Sequence, residues 1–246
     1  MTLVEHLREL RSRLIKCVLA VLIGSMVMWF MYDRALIGPL YDTFQEACPP
    51  DVQCRVITTD PLQGFTTRLT VAGYGGVVLA MPVLLWQLWR FVTPGLYPKE
   101  KRLAVPFTIS GVLLFLLGVA CAWWTTPKAL NWLIEIGGPN TDALYTPDKF
   151  VSFITKMSVG FGIGFEFPIL LVFLELAGII TWRKLLSWQR HAVVGIVAIV
   201  AIITPSGDPF TLAALSVPMV FFYYVAILVG WLFARSKRKR ERQDAS

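Results

Sequence analysis

The chain alternates between long apolar runs and short polar punctuation. No charged residue interrupts Leu69 to Trp89 or Leu103 to Thr126. A helix rises about 1.5 Å per residue and needs about 20 apolar residues to cross about 30 Å of hydrocarbon. Both runs meet that length. A transmembrane barrel would instead show strands of about ten residues with alternating polarity, and no such alternation is present. The pattern predicts six spans: Leu14 to Tyr32, Leu69 to Trp89, Leu103 to Thr126, a stretch within Phe150 to Ala177, Ala192 to Thr204, and Phe210 to Phe233. The fold class is therefore an all-α membrane protein. Its last two spans are expected to be short and joined by the tight turn Pro205-Ser206-Gly207-Asp208-Pro209.

Charge placement sets the expected topology. Arg8 to Lys16, Arg90 to Arg102, Arg183 to Arg190 and Arg235 to Arg242 together hold 17 of the 23 Lys and Arg, and all four stretches fall on one side of a six-span arrangement. The opposite side keeps Arg34, Arg55, Arg68, Lys128, Lys149 and Lys156. Positive charge marks the cytoplasmic side, so both termini are expected inside. The whole chain reads as one integral membrane domain. Residues 1–13 form an amphipathic amino-terminal segment, 14–233 the six-span core, and 234–246 a basic cytoplasmic tail. The net charge of +7 resides in these topology signals, so no nucleic-acid partner is expected.

Composition narrows the chemistry. Hydrophobic residues make up 56% and charged residues 16%, against about 25% charged in soluble domains. No nucleotide loop, serine elbow or metalloprotease motif occurs, so no enzyme and no cofactor is expected. Four cysteines and two histidines lack metal-ligand spacing, so no metal is expected. Cys17 and Cys121 lie inside spans, where packing accounts for them. Cys48 and Cys54 share the first outer loop, where they are either oxidised to a disulfide or free. Pro82, Pro106, Pro168 and Pro218 fall in or near spans, and Gly160, Gly162 and Gly164 precede Pro168. Membrane helices tolerate such prolines, and small residues permit close helix approach.

Few residues carry chemistry. Glu166 sits mid-way along the fourth span, and an intramembrane carboxylate marks a pathway, a proton relay or a docking site, or else is a neutral structural hydrogen-bonder. Glu175 lies nearer the cytoplasmic end, where its head is expected to reach the interface. Leu3, Leu7, Leu10 and Leu14 recur at helical spacing and lead into the first span, with Glu9 and Arg13 placed to pair. The first inner loop, Phe91-Val92-Thr93-Pro94-Gly95-Leu96-Tyr97-Pro98-Lys99-Glu100, sets apolar groups and one acid among cations. Asp208 in the last outer turn reads as an Asx-type turn residue.

Four segments together resemble the TatC family, the multispanning signal-peptide receptor subunit of the twin-arginine protein translocase. They are Glu5-His6-Leu7-Arg8-Glu9-Leu10-Arg11-Ser12-Arg13, Phe91 to Tyr97 with Glu100 following, Phe165-Glu166-Phe167-Pro168, and Thr204-Pro205 with Asp208. The resemblance runs from about Leu3 to Phe233. It implies a receptor and core subunit in the bacterial cytoplasmic membrane that binds twin-arginine signal peptides of folded cargo. It implies TatA-like and TatB-like single-span partners, self-association, a bilayer around the chain and export driven by the protonmotive force. By motif position it makes Glu9 and Glu100 the signal-reading acids, with Phe91, Pro94 and Leu96 shaping the loop over the arginine stems and Arg11 ordering the amino-terminal helix. It makes Glu166 the intramembrane partner or pathway residue and Asp208 the outer-turn acid. The competing reading is a proton-coupled secondary transporter using Glu166.

Overall fold

The computed structural model describes residues 3–33, 38–39, 42–43, 46, 55–92, 104–137, 144–204 and 207–244. Six long helices dominate: α1 (Leu3–Met31), α2 (Gln63–Val92), α3 (Ala104–Ile136), α4 (Pro147–Leu176), α5 (Trp182–Ile203) and α6 (Pro209–Asp244). All six are long and apolar enough to cross a membrane. Two residue pairs outside the helices, β1 (Arg55–Val56) and β2 (Leu144–Tyr145), join in parallel. Among the described residues this minimal ribbon is the one β element, and it ties together the two segments that precede α2 and α4.

The helices outrun the apolar windows that predicted them. α3 does not stop at Thr126 but continues through Pro127 to Ile136, giving 33 residues and about 50 Å. α5 begins at Trp182, ten residues before the uncharged run, so it has 22 residues rather than the 13 expected. Of the last two spans only α5 is the short one, because the apolar part of α6 covers 27 residues, Pro209–Arg235. A charge-free window detects only hydrocarbon-facing positions, whereas a helix goes on wherever its backbone bonds can be completed.

The ends have identifiable causes. Pro147 opens α4 behind the extended Thr146, where a missing N–H costs nothing. Gly178 closes it with φ +72. The Gly178 N–H donates to the Glu175 carbonyl and the Ile179 N–H to the Leu174 carbonyl, an ending that a side chain at Gly178 would strain. The α5–α6 turn holds Gly207 at φ +59. Asp208 then caps α6: its carboxylate accepts from the Thr211 N–H (2.8 Å) and from the Thr211 hydroxyl (2.6 Å).

Close crossings hold the bundle. At α1–α2, a Cβ on Gly24 would lie 2.6 Å from the Gly76 carbonyl, and one on Gly76 would lie 2.5 Å from the Ser25 backbone nitrogen. At α3–α4, a Cβ on Gly118 would lie 2.6 Å from the Phe161 carbonyl. Small residues let backbones meet where lipid offers no hydrophobic drive for association. Around these crossings, Met157, Phe161 and Phe165 of α4 pack with Leu215, Met219 and Tyr223 of α6 and Ile196 and Val200 of α5. Trp89 of α2 meets Phe107 of α3 and Phe173 of α4, with ring centroids 4.8 and 5.0 Å away. α1 is different: it packs chiefly on α2, and most of its apolar surface is exposed.

Aromatic–cation pairs mark both ends of the bundle. At one end Arg68 lies over Trp29 and Tyr32, and Lys128 lies 3.3 Å above the Trp124 ring. At the other, Arg183, Lys184 and Arg235 lie over Trp182, Trp188 and Trp231. Such residues sit at membrane–water interfaces.

Candidate functional site

α1 and α2 run antiparallel, so the amino-terminal half of α1 lies beside the carboxy-terminal end of α2. Counting eleven residues from the Gly24–Gly76 crossing reaches Arg13 on one helix and Gln87 on the other, and an Arg13 Nη1 donates to Gln87 Oε1 at 3.5 Å. The predicted pairing is present: Arg13 Nε donates to Glu9 Oε1 at 3.0 Å, and the guanidinium also forms an ion pair with it. Further along, His6 stacks on Phe91 with centroids 4.6 Å apart. Glu9 is thus pinned between its own helix and the end of α2, with its side chain 20% exposed. Its Oε1 belongs to Arg13, while Oε2 is buried with no hydrogen-bond partner among the described residues. An acceptor in that state favours an incoming donor.

Of the residues singled out in the sequence, Glu9 and Phe91 come together at this junction. Arg11 is exposed on the same helix. Pro94, Leu96 and Glu100 lie outside the described residues, as do Cys48 and Cys54. Asp208 is 1% exposed and serves as the cap of α6, in keeping with the turn role read for it. Gln87 went unnoticed in the sequence, and His6 was read only as part of the amino-terminal motif. The signal for Gln87 was modest: it is the one uncharged polar side chain among the apolar residues that precede Arg90 in the last turns of α2, four positions before Phe91.

Glu166 lies on α4, about two and a half helical turns before Glu175. Its carboxylate rests against Gly111 of α3, where a Cβ would come within 3.0 Å of Oε2 and 2.9 Å of Leu85 Cδ1. Oε1 is buried with no hydrogen-bond partner among the described residues. Glu175 contradicts its sequence reading. It does not reach toward water: both carboxylate oxygens are buried and unpartnered among the described residues. They pack on Gly230 of α6, where a Cβ would lie 2.4 Å from each.

A six-helix bundle with an acid midway along its fourth helix and another pinned between its first two helices can be compared with known proteins. The sequence profile described as "TatC: Sec-independent protein translocase protein (TatC)" matches residues 5–218. The chain belongs to the TatC family. Relatives include the Sec-independent protein translocase protein TatC of Aquifex aeolicus, 36% identical over 98% of this chain and all of that one. That of Frankia casuarinae is 36% identical over the whole of this chain and 69% of its own. A crystal structure of the twin-arginine translocase receptor TatC superposes with a TM-score of 0.75 at 35% identity, covering 92% of this chain and 98% of that one. The chain is therefore a multi-pass membrane protein of a Sec-independent protein translocase. The TatC relatives give no support to the alternative of a solute transporter using Glu166.

Proposed function

We propose that this chain is the receptor and core subunit of a twin-arginine translocase, and that it reads the Arg-Arg pair of a signal peptide with Glu9 and Glu100 at the cytoplasmic face. The observation that carries the reading is Glu9 itself: one carboxylate oxygen is occupied by Arg13, and the other is buried and unpartnered among the described residues, one helical turn from the His6 that stacks on Phe91 at the end of α2. A guanidinium presents a planar fork of donors that a carboxylate accepts with more specificity than it accepts an ammonium. Glu100 follows α2 in sequence and supplies the second acid. Phe91, Pro94 and Leu96 cover the arginine stems, and Arg11 orders the amino-terminal helix. Glu166 serves as the meeting point for a partner helix or as part of the cargo path. The partners are TatA-like and TatB-like single-span proteins and a further copy of this chain, in the bacterial cytoplasmic membrane, with both termini inside and the protonmotive force driving transport. The charge bias supports that orientation.

The test is a titration of the purified full chain with a labelled twin-arginine signal peptide and its Lys-Lys counterpart. The Arg-Arg peptide is expected to bind more tightly. Glu9→Ala and Glu100→Ala are each expected to remove about 1.5–3 kcal/mol, the value of a hydrogen bond to a charged group. Equal binding of both peptides to all three proteins would overturn the reading.

A further inference from the structure

Two side-chain contacts bridge α1 and α2 on either side of Glu9. Three residues before it, His6 stacks on Phe91. Four residues after it, Arg13 reaches Gln87. Gln87 is half-buried, and it belongs neither to the amino-terminal motif nor to the loop that follows α2.

The guanidinium of Arg13 is divided between the two helices. Nε and Nη2, which form one edge of the group, both donate to Glu9 Oε1 on α1. Nη1, on the far side, donates to Gln87 Oε1 on α2 at 3.5 Å. The Arg13 and Glu9 side chains are 15% and 20% exposed, so the pair is largely shielded from water. An edge of two parallel N–H groups matches a carboxylate best when each takes its own oxygen. Here both take the same oxygen, and Oε2 stays outside the pair. Gln87 supplies the tether for this attitude, because its amide oxygen is the acceptor for the third nitrogen. Without that acceptor, a turn of the guanidinium brings Nη2 onto Oε2, and Arg13 closes both oxygens of Glu9 itself. Residues four apart on one helix are close enough for that pairing.

We infer that Gln87 is a positioning residue for Glu9: by holding Arg13 from α2, it prevents the two-oxygen pair and so keeps Oε2 for an arginine of the signal peptide. The inference rests on the proposed reading of the signal by Glu9. Gln87 acts through Arg13 and does not touch the peptide. A resident arginine and an arriving one compete for a single carboxylate, and Gln87 biases the contest toward the arriving one. A lysine at position 13 would not compete in the same way, since an ammonium is a point charge without a fork.

The experiment titrates the purified full chain with a labelled twin-arginine signal peptide. Gln87→Leu keeps most of the side-chain bulk and removes the acceptor. It is expected to weaken binding about two- to tenfold, the net worth of one hydrogen bond. Gln87→Glu, which keeps an acceptor for Arg13, is expected to bind at least as tightly as wild type. Arg13→Lys discriminates: in that background, adding Gln87→Leu is expected to change nothing, whereas a merely structural part in α1–α2 packing would weaken binding in both backgrounds. A label distance between the exposed Leu10 of α1 and Leu88 of α2 is expected to stay at its wild-type value in Gln87→Leu. Wild-type affinity in Gln87→Leu, a Gln87→Glu as weak as Gln87→Leu, an equal loss in the Arg13→Lys background, or a lengthened distance would each overturn the inference. Glu9→Ala, titrated alongside, separates it from the reading on which it rests. Wild-type affinity in Glu9→Ala overturns that reading, whereas a weakened Glu9→Ala beside an unaffected Gln87→Leu overturns the role of Gln87 alone.

Discussion

Replacing Gly76 by alanine tests whether the α1–α2 crossing positions Glu9, the acid proposed to read the signal. A Cβ at this position would lie 2.5 Å from the Ser25 nitrogen and 2.7 Å from its Cα. Ordinary carbon contacts are about 3.5–4.0 Å, so the two backbones must part by about 1 Å. Ser25 Oγ can rotate away, but its backbone cannot. Overpacking of this kind costs about 1–3 kcal/mol, and here much of the cost is relieved by movement, because α1 has little other packing to resist it. The Arg13–Gln87 bond is already 3.5 Å long, so a further 1 Å breaks it. Glu9 then loses its registry with Phe91. If that registry delivers one charge-assisted hydrogen bond to a bound arginine, about 1.5–3 kcal/mol is lost, or about 10- to 150-fold in Kd. The assay pairs signal-peptide affinity with a label distance between the exposed Leu10 of α1 and Leu88 of α2. Two results would refute the reasoning. An unchanged distance means that the crossing does not resist a methyl. A lengthened distance with wild-type affinity means that α2 does not place Glu9.

Three further outcomes follow from the same geometry. Asp208→Ala removes both acceptors at the start of α6 and is expected to destabilise the protein by about 1–2 kcal/mol, as for loss of a helix cap, measured by thermal unfolding in detergent, with Asp208→Asn costing less. Tyr223→Phe removes the hydroxyl that donates to the Leu185 carbonyl and is expected to cost about 0.5–1.5 kcal/mol, with α5 exchanging its amide protons faster than α3 or α4. Gly118→Val sets a side chain against the Phe161 carbonyl and is expected to lower the folded yield, whereas Gly195→Val, in open space on α5, should leave both yield and unfolding temperature near wild type.

Much of this architecture was legible in the sequence, and the parts that were not share a cause. Long, mostly apolar runs located every span, because hydrocarbon admits few charges whatever the packing. They misjudged α3 and α5 because the extra turns, Pro127 to Ile136 and Trp182 to His191, carry Lys128 and Glu135 or Arg183, Lys184 and Arg190, which end a charge-free window but not a helix. The Glu9–Arg13 pair was readable as an i,i+4 spacing, since a helix fixes that geometry locally. The stacking of His6 on Phe91 and the Arg13–Gln87 bond depend on the α1–α2 register. That register is set by Gly24 and Gly76, 52 positions apart, which no local pattern links. Glu175 was misread for a similar reason. Its distance from the helix end suggested an easy reach to water, but Gly230, on a helix far along the chain, offers the pocket that holds it inside.

The glycine crossings also bear on how the bundle responds to cold. A water-soluble core loses driving force on cooling, because expulsion of water from apolar surface weakens as temperature falls. The contacts at Gly24–Gly76 and Gly118–Phe161 draw little from that source, since lipid tails are as apolar as the side chains they replace. Their cohesion is dispersion between closely fitted backbones, which cooling does not erode. Low temperature should therefore change the lipid around these helices well before it loosens the helices from one another.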